Sequence, residues 1–67
     1  MTNMLVDKLE ALVDAHGMKT VLLQLEDICA LKAEYVSANW QDEKLARIWD
    51  KIGKALDRAQ AVAVDLP

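Results

Sequence analysis

Between Gly17 and Trp40 the chain reads GMKTVLLQLEDICALKAEYVSANW, with no proline and with its only glycine at the start. Apolar residues recur there at three- and four-residue steps, the period of one helix face. This predicts a helix over residues 18–38, about 31 Å long. In a chain of 67 residues, a helix of that length leaves room for little more than two further helices laid against it. On a helical wheel Met18, Val21, Leu22, Leu25, Ile28, Cys29, Val36 and Trp40 share one broad face, with Tyr35 at its margin. Within that face Met18, Leu22, Leu25, Cys29, Lys32, Val36 and Asn39 follow alternating four- and three-residue steps. They form a heptad-like seam with two polar members. Leu23 and Leu31 fall off the face, beside Asp27 and Glu34.

Before this stretch, Thr2 and Asn3 are good N-caps, and Leu5, Leu9, Leu12 and His16 follow the helical step. Val6 and Val13 widen their face, and Asp7, Glu10 and Asp14 sit opposite. Gly17 suits the left-handed position that ends a helix, which predicts a first helix over residues 4–16. It is too short to be stable without packing. After the long stretch, residues 37–43 form a break in which Asn39 can cap the next helix, while Asp42 and Glu43 favour its positive end. Trp40 is expected to plug the end of the bundle. The third helix, predicted over residues 41–63, carries Leu45, Ile48, Trp49, Ile52, Leu56, Ala59 and Val62 or Ala63 on one face. Gly53 lies at the flank of that face, where another backbone can approach, and Pro67 ends a tail expected to fray. Helices of similar length with a short connection predict an antiparallel αα-hairpin. The expected fold is all-α: one domain over 1–67, with a short first helix on a long hairpin.

A domain of about 60 residues buries only about 60% of its unfolded surface, so its core is marginal unless something adds to it. The lone Cys29 forms no intrachain disulfide, and one cysteine with one histidine does not make a structural zinc site. Fully 54% of the residues are hydrophobic, more than three short helices readily hide. Self-association is therefore the expected remedy, a dimer first, giving a larger helical bundle. A net charge of −3 and a pI near 4.9 argue against nonspecific nucleic-acid binding. Apolar runs are too short for a membrane span, and acids in the first fifteen residues argue against a signal peptide. The cytoplasm is the expected location.

Few residues are placed for chemistry. Cys29 lies among Leu22, Leu25 and Val36 with no base to activate it, and reads as a small buried hydrophobe. His16 at the end of its helix suits the carbonyl end, and a Cys29–His16 dyad lacks a third, orienting group. The two tryptophans read as core anchors or interface hot spots rather than a ligand cage. No catalytic residue, cofactor site or metal site is expected, so the chain does not read as an enzyme. Lys32 is expected to run its stem along the apolar face and lift its ammonium to a carboxylate or to water. The sharper reading makes it a polar position that sets register in an oligomer, or a buried amine. Leu23, Leu31, Lys32 and Tyr35 are the candidate interface residues. Lys44, Arg47, Lys51, Lys54 and Arg58 recur at steps of three and four along the third helix, within an arc of roughly 80°. They form either a solvated flank paired with nearby acids or a site for an anionic partner. The turn at Gly17 suggests a helix-turn-helix only loosely, since the next helix is too long and offers only Lys19 to a DNA groove.

The segment Ile28-Cys29-Ala30-Leu31-Lys32-Ala33-Glu34, followed by Asn39-Trp40-Gln41-Asp42 and an amphipathic last helix, resembles a group of short bacterial and phage-type helical proteins of unknown function. The resemblance covers roughly residues 16–60 and implies a compact helical fold, with no activity or cofactor. The function expected from the residues is protein–protein interaction through homo-oligomerisation, in a small regulator, an inhibitor or a structural subunit. The alternative is binding of nucleic acid or another anionic surface through the basic stripe.

Overall fold

The computed structural model describes residues 3–66 and contains three helices: α1 (Met4–His16), α2 (Met18–Asn39) and α3 (Glu43–Ala63). The α1 helix starts at Asn3, whose side-chain oxygen accepts from the Leu5 N–H at 2.7 Å. Thr2 lies outside the described residues. Gly17 alone separates α1 from α2. Its φ of 88° and ψ of 149° belong to a region that side chains enter at a cost of about 1–3 kcal/mol. Its N–H still reaches the Val13 carbonyl at 2.7 Å, closing α1 before the chain turns.

α2 and α3 pack along their length as an antiparallel hairpin. The turn between them differs in detail from the sequence expectation. Asn39 is the last residue of α2 and donates its side-chain N–H to the Tyr35 carbonyl. Asp42 is the cap instead, accepting from the Leu45 N–H at 3.0 Å, so α3 begins at Glu43 rather than at 41. Gln41 takes the left-handed conformation (φ 54°), and the Asp42 N–H reaches back to the Val36 carbonyl at 3.2 Å. This bond spans seven residues around the left-handed Gln41, a closure one residue wider than a Schellman ending. It consumes the residues in which a cap at Asn39 would have begun. The Ser37 hydroxyl donates to the Glu43 carboxylate at 2.7 Å and ties the two helix ends together.

Trp40 does not plug the bundle. It is 62% exposed, and its ring meets Tyr35 edge-on at 5.9 Å on the outside of the turn. The core beside the turn is made of smaller residues: Ala33, Val36 and Ala46, with Leu45 and Trp49 packed against them. The seam of α2 is likewise rotated from the predicted one. Its inward positions are Leu22, Glu26, Cys29, Ala33 and Val36, while Leu25 and Lys32 lie outside it. The reason is size. Gly53 and Ala46 on α3 are buried, and a Cβ placed on Gly53 would stand 3.6 Å from the Cβ of Cys29. Small residues let the two backbones come close, and larger ones are displaced to the rim. Cys29 is buried there as a free thiol, as expected. Toward the far end Gln60 is buried, donating from its side-chain nitrogen to the Glu26 carboxylate at 2.8 Å and the Leu56 carbonyl at 3.3 Å.

The Gly53 geometry has a measurable consequence. Since 3.6 Å is ordinary van der Waals contact, Gly53→Ala is expected to stabilise the hairpin by about 0.5–1 kcal/mol through helix propensity. Gly53→Leu is expected to lower stability by about 1–3 kcal/mol, because it forces the helices apart. Denaturant titration of both variants checks the pair of opposite signs.

Candidate interaction surface

The surface of interest follows from what the hairpin leaves uncovered. α1 has no buried residue. It rests on α2 alone, and among the described residues it does not touch α3. Its Leu9 and Leu12 face Val21, Leu25 and Ile28 of α2 across an open, largely apolar groove of about 420 Å³, with His16 at the closed end. Leu5, Leu9 and Leu12 therefore remain exposed although they form one helix face.

The apolar arc of α3 is wider than one neighbour can cover. Leu45, Trp49 and Leu56 are partly buried against α2, but Ile48 and Ile52 stay exposed and Val62 is 72% exposed. The two sides of the hairpin differ sharply. One carries a shallow depression lined by Glu26 and Ala30 of α2 with Trp49, Asp50, Gly53 and Lys54 of α3. At 100° per residue, the opposite side carries Leu25, Ile28 and Lys32 of α2 alongside Ile48, Ile52 and Ala59 of α3. All but the half-buried Ala59 are exposed, so this side is a nearly continuous apolar surface, and α1 leans on its outer edge.

Of the four candidate interface residues, three come together. Leu31, Lys32 and Tyr35 share a shallow depression with Ile28 near the turn, and Leu31 is 65% exposed. Leu23 is exposed too, but lies on the opposite flank of α2. Lys32 is exposed beside apolar neighbours, as a snorkelling lysine should be. The stripe of Lys44, Arg47, Lys51, Lys54 and Arg58 is exposed throughout. It borders the open apolar strip of α3 on one edge and Glu43, Asp50 and Asp57 on the other. The groove between α1 and α2 and the open half of α3 were missed in the sequence. The signal that marks the second is the breadth of the arc from Val62 through Ile48 to Trp49, too wide for a single partner helix.

Among the described residues, no three His, Cys, Asp or Glu side chains are grouped to hold a metal ion, and no helix is long and apolar enough to cross a membrane. Comparison with protein-family models, curated proteins and solved structures returned no match.

Proposed function

We propose that this protein is a self-associating helical module that acts through protein–protein contact, its apolar side covered by a second copy of the chain. The observation that carries this reading is the surface left bare. The single chain exposes 5509 Å², whereas a compact monomer of 7.5 kDa exposes about 4,250 Å². Its radius of gyration is 14.1 Å, against about 10.9 Å for a compact chain of this length. The excess of roughly 1,250 Å² exceeds the ~800 Å² that each partner contributes to a standard interface. Covered in both copies, it corresponds to an interface of roughly 2,500 Å², the range of obligate homodimers. The bare surface includes the side of the hairpin where Leu25, Ile28, Ile48 and Ile52 are exposed along two helix faces, which suits a bundle rather than a substrate pocket.

Association that stabilises the fold must make the thermal midpoint depend on concentration. The midpoint is expected to rise steadily across a hundredfold range of protein concentration, followed by far-UV circular dichroism. A midpoint independent of concentration would count against the dimer.

A further inference from the structure

Building on self-association as proposed above, we infer that the two copies exchange contacts through their first helices: α1 of each stays on its own α2 and lies along the open strip of the other's α3, over Ile48, Ile52 and Ala59. Four observations converge on this occupant. Within one chain α1 does not touch α3 and buries no residue, although a helix of 13 residues is marginal without packing. The lengths agree, since α1 is about 20 Å long and the strip from Ile48 to Val62 about 21 Å. Ala55 and Ala59 keep the strip low enough for a helix to settle close. The charges are complementary along one flank: at 100° per residue, Glu10 and then Asp14 follow Val6 and Val13 at the margin of the apolar face of α1, while the strip is edged by Lys44, Lys51 and Arg58. Each α1 then has α2 of its own chain on one flank and α3 of the other chain on the next. The contact is made twice about a two-fold axis, so assembly closes at the dimer.

A charge exchange tests the pairing. Glu10→Lys with Asp14→Lys makes α1 basic, and Lys44→Glu with Lys51→Glu makes the α3 edge acidic. Neither pair disturbs a helix end, since the new lysine at 14 and the new glutamate at 44 suit the ends they occupy. Each doubly substituted protein alone is expected to lose the dimer at concentrations where the parent is dimeric, because like charges then face one another. An equimolar mixture is expected to regain dimer mass, and so is one chain carrying all four substitutions. Circular dichroism of the mixture and the fourfold variant verifies that helices persist. If the wild type is a dimer and both doubly substituted proteins remain dimeric, the exchange of α1 contacts is wrong while self-association stands. The exchange also fails if neither the mixture nor the fourfold variant regains dimer mass. If the wild type itself is a monomer, the reading beneath fails.

Discussion

Val36→Asp is expected to abolish the folded protein. Val36 is only 3% exposed, packs with Ala33 and Ala46 in the small core beside the turn, and lends its carbonyl to both Trp40 and Asp42 where α2 ends. A carboxylate there has no basic partner on the facing residues and must be desolvated, at a cost of several kcal/mol. The valine's own burial is lost as well, about 2 kcal/mol. A chain of 67 residues has a total stability of about 3–10 kcal/mol, so the combined loss consumes most or all of it. Far-UV circular dichroism is expected to show a largely unfolded chain at room temperature. Val36→Ala, which removes volume without adding charge, is expected to fold with a stability lower by about 2 kcal/mol. A folded Val36→Asp protein of unchanged stability would mean that the core is not where the helices place it.

The second large effect concerns assembly. Ile28→Glu together with Ile48→Glu is expected to turn the proposed dimer into a folded monomer, raising the dissociation constant roughly a hundredfold or more. Both isoleucines are 47% exposed in the single chain, so each glutamate keeps its water there and the hairpin tolerates it. In the dimer both would be drawn under apolar surface in each copy. Leu23→Glu is the matched control, because Leu23 is also exposed but lies on the other side of α2. It is expected to leave association within about threefold of wild type, a fraction of 1 kcal/mol. Sedimentation equilibrium on the three proteins gives the comparison, and a Leu23→Glu variant that alone dissociates would move the interface to the opposite side.

The helices themselves were legible in the sequence, because three-and-four periodicity and the breaks at Gly17 and Asn39–Asp42 are local signals. The start of α3 shifted by two residues because Gln41 closes α2 in a left-handed turn, and glutamine gives no sign of that conformation. The packing seam was less legible. Hydrophobicity ranks Leu25 above Ala33, but two helices approach most closely where both are small, and Cys29, Ala33, Ala46 and Gly53 decide the rotation of α2 against α3. Trp40 was misplaced for the same reason, since a tightly closed turn has no room for an indole. Leu31 was singled out for falling off the expected face, Tyr35 for lying at its margin and Lys32 for being a polar member within it, and the rotation of α2 brings the three together. The open half of α3 was not recognisable, because periodicity shows that a face is apolar and does not count the neighbours available to cover it. Only the position of α1, leaning on α2 alone, reveals the shortfall.

The central claim is that a second copy covers this surface, and solution mass by light scattering on a size-exclusion column tests it most directly, at low and at high salt. A dimer of twice the 7.5 kDa chain mass is predicted at both salts, because the burial of apolar surface resists screening while the charged edges only adjust the affinity. A species of single-chain mass at high micromolar concentration in both buffers would contradict the account.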